Sequence, residues 1–166
     1  GVGDLEVKDD RECIEVVKRY LSYFPANCEE QPPVRPTDDP EDRMSERLLD
    51  IVPESSRQPY DMYEVIREIV DDGEILDIKP KWARSIITCL ARFGGQPVGV
   101  VANQPKHLGG ILENDSADKA ARFINLCDAF NIPLVFLHDV PGFMVGSQVE
   151  HAGIIRHGAK MLYAVS

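Results

Sequence analysis

The sequence lacks the short motifs that identify common side-chain catalysts. It has no GxSxG nucleophile elbow, no GxxxxGK[ST] phosphate loop and no HExxH zinc motif. His151 and His157 are six residues apart, so a helix does not place both on one face. His138 and Asp139 are adjacent, so in a strand they point to opposite faces. We therefore interpret the histidines as surface or interface residues.

Cysteine is also scarce. The four cysteines are Cys13, Cys28, Cys89 and Cys127, and no two of them form a CxxC pair. This spacing does not provide a metal framework, so no metal site is predicted. Cys89 and Cys127 lie within apolar patterns, where a free thiol behaves as a small hydrophobic residue. Such usage fits a reducing compartment: the cytoplasm, or the mitochondrial matrix if the source is eukaryotic.

Long apolar runs and clusters of positive charge are missing as well. No apolar run approaches the roughly 20 residues that cross a bilayer, so we expect no membrane segment. The net charge of −10 lies in the first half: residues 1–80 hold 22 acidic and 10 basic side chains, and residues 81–166 hold 6 and 8. This distribution argues against binding to nucleic acid, whereas the second half can accept an anionic ligand such as a nucleotide-bearing thioester.

The most informative stretch begins at residue 131. Residues 132–139 form an apolar run of strand length between two prolines, which predicts a parallel strand buried on both faces. A turn follows at 140–146, and residues 149–165 have a helical pattern. One face of this helix carries Ala152, Ile155, Ala159 and Leu162. Ligands of open α/β folds bind beyond the carboxyl ends of strands, so we expect a site at this turn.

The remaining elements favour an α/β fold. Residues 9–24 predict an amphipathic helix, and the proline-rich residues 25–50 predict an extended connector. A helix over 61–70 is predicted to begin with Asp61 as cap and Glu64 reaching back. Strands are predicted over 74–79, 85–93 and 97–103, followed by a loop over 104–114 and a helix over 116–130. The cap of that last helix is assigned to Asp115 or Ser116, and its inward residues are Ala120, Phe123, Ile124 and Cys127.

Glycine-rich backbone is the remaining candidate for chemistry. Gly142 and Gly146 lie in the turn after the 132–139 run, and Gly109 and Gly110 lie in the loop before the next helix signal. Glycine lets a substrate approach peptide N–H groups, which is what stabilisation of an oxyanion requires. The alternative, which the spacing alone leaves open, is that both segments are simple tight turns.

Several long segments resemble one known family. They are 101–105 (VANQP), 128–134 (DAFNIPL), 139–143 (DVPGF) and 153–160 (GIIRHGAK), and the regions 35–43, 51–53 and 60–72 add to the likeness. Residues 84–164 resemble the C-terminal half of the carboxyltransferase β subunit of biotin-dependent acyl-CoA carboxylases, most closely the propionyl-CoA and methylcrotonyl-CoA types. The resemblance implies a fragment with an arm at 1–58 and the first part of the C-terminal domain at 59–166.

The resemblance implies a crotonase-like ββα spiral and a specific reaction. A carboxyl group moves from N-carboxybiotin to the α-carbon of a short acyl-CoA through an enolate, with peptide N–H groups holding the oxyanions. It also implies a biotin carboxylase and biotin carrier as partners, and a hexamer of the intact parent. A cysteine-ligated zinc of some related subunits has no counterpart in this sequence.

Carried over by residue, the family places Val140, Pro141, Gly142, Phe143 and Gly146 in the biotin pocket. Gly109 and Gly110 are expected to border it, and residues 60–93 to contact acyl-CoA or a neighbouring subunit. The amides of the biotin oxyanion hole are expected beyond Ser166, in an AYGGAY-like segment, and the N-terminal domain is expected from elsewhere. We therefore expect no catalytic residue in this stretch, and no activity from it alone.

Two alternatives and one question remain open at this point. A decarboxylase subunit of the glutaconyl-CoA type shares the fold and the amide chemistry, and a non-catalytic assembly module would keep only the interface helices. Residues 142–146 resemble the methylcrotonyl type of the loop, whereas 139–141 resemble the propionyl type. The sequence therefore leaves the acyl chain undecided.

Overall fold

A computed structural model describes residues 2–40, 42–55 and 58–166 of the chain. The helices are α1 Asp10–Leu21, α2 Arg47–Ile51, α3 Met62–Ile69, α4 Asn114–Ala129, α5 Ser147–His151 and α6 Ile154–Val165. The strands are β1 Leu76–Asp77, β2 Ile86–Phe93, β3 Gln96–Asn103 and β4 Leu134–Leu137. Short 3₁₀ turns lie at Asp71–Gly73 and Leu108–Gly110. Within the described ranges, no helix has the length and apolar character needed to cross a membrane.

The four strands form one sheet in the order β1-β2-β3-β4. The first three are antiparallel neighbours, and β4 lies parallel to β3, with Gly99 opposite Leu134. The chain therefore makes a hairpin, crosses over through α4 and returns beside the hairpin, which is a ββα unit. One apolar cluster joins the sheet to α1 and α4, and a second joins its other face to α3.

Close packing of α4 on the sheet explains a glycine in β3. A Cβ at Gly99 would lie 2.5 Å from Cys127 Sγ and 3.1 Å from the ring of Phe123. Cys127 and Cys89 are both fully buried free thiols, as predicted for small hydrophobic residues. Burial raises the pKa of the Cys127 thiol to about 12, so this thiol stays protonated at neutral pH.

The prediction of a strand buried on both faces was wrong. The strand is shorter than the 132–139 run, spanning Leu134–Leu137, and each of its four residues is partly exposed. Among the described residues β4 is the last strand of the sheet, because it pairs with β3 and with no strand on its other side. The fully covered strands are β2 and β3, where only the residues beside the hairpin turn are partly exposed. The apolar run identified a parallel strand but not its place in the sheet.

The single helix predicted over 149–165 is also wrong. It is broken between α5 and α6 at Gly153, whose φ of 91° is left-handed. The apolar face identified from the sequence is not the buried one, since Ile155 is 84% and Leu162 is 67% exposed. The buried residues of α6 are Ile154 and Gly158. The helix is apolar on more than one side, so periodicity did not determine which side faces α4.

The cap of α4 and one contact at the start of α3 differ from their predictions, and α2 was not predicted. Helix α4 begins at Asn114 after Glu113, whose N–H donates to Ser116 Oγ at 2.7 Å, so neither Asp115 nor Ser116 is the cap. Asp61 does cap α3, accepting from the Tyr63 N–H at 3.1 Å, but Glu64 pairs with Arg47 instead of reaching back. Arg47 belongs to α2, a short helix at the end of the predicted extended connector.

The arm packs against the sheet through arginines and carbonyl groups. Arg92 donates to the Ser22 carbonyl at 2.9 Å, and its guanidinium lies 4.1 Å from the ring centre of the buried Tyr23. Further along, the Arg35 N–H donates to the Gly95 carbonyl in the hairpin turn at 3.1 Å. The proposed division at residue 58 adjoins residues 56–57, which lie outside the described ranges, and it stays a prediction.

A buried lysine closes the turn before β2. The Lys119 amino group is almost fully buried and donates to the carbonyls of Trp82 at 3.0 Å and Ile86 at 2.8 Å. Desolvation lowers the pKa of Lys119 from 10.5 to about 8. The lysine therefore loses its proton in the folded protein at a lower pH than in the unfolded chain.

We expect Lys119→Met to remove a pH dependence of stability. Between about pH 8 and 10.5 the unfolded chain binds a proton that folded Lys119 has released, so this group increases stability as pH rises. The free energy of unfolding of the wild type, relative to the variant, should increase by about 2 to 3 kcal/mol across this window. Denaturant titrations at several pH values measure it, with Lys18→Met as a control for net charge. A difference that does not change with pH would contradict the assignment.

Candidate functional site

The loop that follows β4, residues 138–146, is open at its glycines. Gly142 has a φ of 134° and Gly146 a φ of 142°, a region that favours glycine. A Cβ at either position would have no atom within 4 Å, so the backbone faces free space. The core of the protein does not fill this bend, which leaves room for a ligand beside it.

The bend is held in place from two sides. The Leu112 N–H donates to the Gly142 carbonyl at 3.0 Å, and the Met144 N–H donates to the Leu112 carbonyl at 2.7 Å. On the other side, the ring of Phe143 rests on α6, where a Cβ at Gly158 would lie 2.9 Å from it. The conformation of the loop is therefore set by residues that lie far apart in the sequence.

Several peptide N–H groups of the loop have no partner. Within residues 2–40, 42–55 and 58–166, no atom accepts a hydrogen bond from the N–H groups of Gly142, Phe143, Val145 or Gly146. A peptide donor is nearly always satisfied, by protein, by water or by a ligand. The loop therefore offers backbone donors to an external acceptor.

The structure places Gly110 directly beside the start of this loop. Gly110 has a φ of 73°, and a Cβ there would lie 2.7 Å from the Asp139 carbonyl oxygen. Asn103, at the end of β3, donates from Nδ2 to the Gly110 carbonyl at 2.9 Å. Gly109 also has positive φ, but a Cβ there would touch nothing within 4 Å. Of the two glycines predicted to border the site, Gly110 makes the contact and Gly109 lies at open surface.

Residues that the sequence reasoning did not select complete the surroundings. Tyr60 donates from its hydroxyl to Asp139 Oδ2 at 2.7 Å, and burial together with this bond raises the pKa of Tyr60. Gln104 Nε2 donates to Asp61 Oδ1 at 2.7 Å, and Lys106 Nζ lies 3.1 Å from Asp61 Oδ2. Burial works to raise the pKa of Asp61, but these two donors hold it below its ordinary value. In the sequence, these residues could have been noticed only as two adjacent polar pairs, YD at 60–61 and NQ at 103–104.

His157 pairs with a carboxylate that links two helices. His157 Nδ1 lies 2.8 Å from Asp118 Oδ2, and Lys160 Nζ lies 2.9 Å from Asp118 Oδ1, so this group joins α6 to α4. Burial works to raise the pKa of Asp118, but these two partners lower it below the usual range. In the described part of the chain, no three His, Cys, Asp or Glu side chains group as metal ligands. The free peptide N–H groups of the loop can bind an external acceptor.

Comparison with known proteins identifies the family. The family described as "Carboxyl transferase domain" matches residues 1–166, the whole chain. This chain belongs to the carboxyl transferase domain family. The likeness to carboxyltransferase β subunits inferred from the four segments is confirmed.

Relatives in this family carry names of both carboxylases and decarboxylases. The chain is 48% identical over 166 residues to the methylmalonyl-CoA decarboxylase subunit alpha of Veillonella parvula, covering 100% of the chain and 33% of that protein. It is 47% identical over 164 residues to the propionyl-CoA carboxylase beta chain of Roseobacter denitrificans, covering 99% of the chain and 32% of that protein. The carboxyl transferase chain described here thus spans about a third of the length of these relatives.

A solved structure of transcarboxylase 12S matches the fold. It superposes with a TM-score of 0.94 at 45% identity, covering 97% of this chain and 31% of that one. That protein was described as a hexamer assembly with methylmalonyl-coenzyme A and methylmalonic acid bound. The predicted α/β, crotonase-like fold is confirmed by this match and by the ββα unit of the sheet.

Proposed function

We propose that this chain is part of a carboxyltransferase that moves a carboxyl group from N-carboxybiotin to the α-carbon of a short-chain acyl-CoA. The open bend at 139–146, with four peptide N–H groups that have no acceptor among the described residues, is the observation that carries the proposal. Membership of the carboxyl transferase domain family and the acyl-CoA carboxylase names of relatives support it.

In this proposal the bend holds biotin, and the contacts come from Val140, Pro141, Gly142, Phe143 and Gly146. Biotin, when bound, carries the transferable carboxyl group on a ureido nitrogen. The peptide N–H groups of the bend orient the polar ring, and Phe143 covers its apolar edge and keeps water away. Gly110 lies against the Asp139 carbonyl behind the bend, whereas Gly109 makes no contact that would give it a part in binding.

The remaining parts of the reaction come from outside this stretch. We propose that a longer polypeptide supplies the oxyanion-hole amides beyond Ser166 and the domain that holds acyl-CoA. A biotin carboxylase and a biotin carrier would load the carboxyl group. The exposed apolar side of α6, with Ile155, Leu162 and Tyr163, suits contact with another copy in a hexamer. The cytoplasm, or the mitochondrial matrix in a eukaryote, is the proposed compartment.

Two measurements on the intact protein test this proposal together. Carboxyl transfer from a short-chain malonyl- or methylmalonyl-type thioester to free biotin should be detectable, because transfer is reversible. Biotin should also slow hydrogen exchange at residues 140–146 in a saturable way and leave the exposed segment 25–30 unchanged. Absence of transfer with every short acyl-CoA would contradict the function. Transfer without protection of 140–146 would contradict the assigned biotin site and leave the function standing.

A biotin-dependent decarboxylase is the second candidate. The observation that favours it is the 48% identity to the methylmalonyl-CoA decarboxylase subunit alpha of Veillonella parvula. The same bend would serve, since removal of the carboxyl group passes through the same enolate. Copurification distinguishes the two: a biotin carboxylase partner indicates a carboxylase, and a sodium-pumping membrane partner indicates a decarboxylase.

A further inference from the structure

A second potential binding site lies between the arm and the sheet. An open cavity of about 620 Å³ is lined by α1, by residues 4–7 before it, by α4 and by residues 78, 79 and 88 of the sheet side. None of its lining residues belongs to the 138–146 loop or is Gly109 or Gly110. We name it the α1–α4 cavity. Its apolar walls include Leu5, Val16, Val17, Phe123 and Leu126. A volume of this size is typical of a site for a small molecule.

Of the three cations in the lining, two are held by groups of the protein and the third, Arg122, is open to a ligand. Lys79 Nζ pairs with Asp4 at 3.0 Å, and Lys119 is committed to backbone carbonyls. Arg122 lines the cavity from α4 and is exposed to solvent. No atom of the described ranges accepts a hydrogen bond from its guanidinium. The cavity therefore combines apolar walls with a positive charge that faces solvent.

We propose that the α1–α4 cavity binds a medium-chain alkyl carboxylate, with the alkyl chain against the apolar walls and the carboxylate on Arg122. An arginine fork matches a carboxylate in shape and charge. The mainly apolar lining does not suit a ligand rich in hydroxyl groups, because each would lose its hydrogen bonds to water. This inference does not depend on the carboxyl transfer proposed above.

A cysteine in the lining provides a direct readout. Cys13 is exposed and lines the cavity from α1, whereas Cys28 is exposed and lies outside the lining. In the intact protein, decanoate below its critical micelle concentration should slow alkylation of Cys13 by iodoacetamide in a saturable way. Alkylation of Cys28 should keep its rate. Peptide mapping by mass spectrometry measures both thiols in the same sample.

Changes in the ligand test the two halves of the interaction separately. Octanoate should need roughly ten-fold more ligand for half-protection of Cys13, because two methylene groups fewer are buried. Decanol should need about two- to five-fold more than decanoate, because it lacks the charge that pairs with an exposed arginine. In the variant Arg122→Gln, the concentration of decanoate needed for half-protection of Cys13 should rise to that of decanol. The concentration of decanol needed should not change.

A matched pair of variants tests the location. Val17 and Ile14 are both half-exposed on α1, at 48% and 55%, but only Val17 lines the cavity. Val17→Trp should fill the space and abolish protection by decanoate, whereas Ile14→Trp should leave it unchanged. Circular dichroism confirms that both variants fold, and the Arg122→Gln comparison stands without them.

Three results would overturn the proposal. The first is a rate of Cys13 alkylation that decanoate does not change, including the case in which Cys13 does not react in the intact protein because another segment fills the cavity. The second is equal slowing of Cys13 and Cys28, which indicates a detergent effect. The third is unchanged protection by decanoate in Arg122→Gln, which removes the assigned contact.

Discussion

Gly110→Ala is expected to lower the kcat/KM of carboxyl transfer by about 100-fold, the loss associated with displacing a reacting group by about 1 Å. The added Cβ would lie 2.7 Å from the Asp139 carbonyl oxygen and 3.1 Å from Asn103 Cβ. These atoms are part of the backbone and of a buried side chain at the end of β3, so they cannot move aside easily. The start of the 138–146 loop would have to shift instead. Steady-state assays on the intact protein measure the effect.

Gly109→Ala is the matched control for this prediction. Gly109 has a φ of 61°, close to the 73° of Gly110, so both variants have a similar backbone cost. A Cβ at Gly109 meets no atom within 4 Å, so the loop should keep its position and activity should change little. Equal losses in the two variants would show that backbone strain, and not displacement of Asp139, is responsible. Full activity of Gly110→Ala would remove Gly110 from the site.

Gly95→Ala is expected to have the largest effect on stability, roughly 3 to 5 kcal/mol in the free energy of unfolding. A Cβ at Gly95 would overlap the carbonyl oxygen of Arg35 and lie 2.9 Å from its carbonyl carbon. The same turn is held by Asp71, whose carboxylate accepts from the N–H groups of Gly94 at 2.9 Å and Gly95 at 2.6 Å. The turn is thus fixed on both sides. Denaturant unfolding of the intact protein measures the loss.

Gly109→Ala again separates backbone strain from steric overlap. Its left-handed conformation should cost about 1 to 2 kcal/mol without any contact term. If Gly95→Ala costs no more than this, the contact between the connector and the hairpin turn is not tight. Limited proteolysis distinguishes global unfolding from release of the connector, because release exposes residues 25–40 while the sheet remains protected.

Local sequence signals predicted most of the secondary structure. The hairpin of β2 and β3 was predicted within one residue at each end, because alternating and β-branched residues flank Gly94 and Gly95. Helix α4 was predicted to within two residues, although its cap was assigned incorrectly. The cap differs because Ser116, inside the helix, accepts a hydrogen bond from the Glu113 N–H through its Oγ. Spacing alone did not reveal this arrangement.

Burial was predicted less well because it depends on neighbours distant in the chain. The apolar run of β4 suggested cover on both faces, but the position of β4 beside β3 alone leaves it half-exposed in the described chain. The buried side of α6 was not evident from the sequence for a related reason. The helix restarts after Gly153, and its buried residues are Ile154 and Gly158, outside the apolar face that the sequence pattern showed.

The candidate site was also predicted only in part. Glycine content selected the 141–146 and 109–110 segments, and the structure brings Gly110 against Asp139. The sequence did not reveal that Tyr60 reaches Asp139 from 79 positions away, or that Asn103 supports Gly110. The first contact joins loops that lie far apart in the sequence, and the second depends on the path of the 104–110 loop. The binding of biotin at this loop stays a prediction.

The absence of a side chain at Gly158 brings the 138–146 loop into contact with α6, which also carries exposed apolar residues. The ring of Phe143 sits in the space that a side chain would take on α6. Ile155 and Leu162, one turn before and one turn after Gly158, are exposed apolar residues on the adjoining strip of the same helix. A neighbouring molecule bound to these residues would therefore lie next to the ring of Phe143 and the bend. Binding of a neighbouring molecule and the affinity of the bend for its ligand would then both depend on the contact between Gly158 and Phe143. A larger residue at position 158 would displace the Phe143 ring.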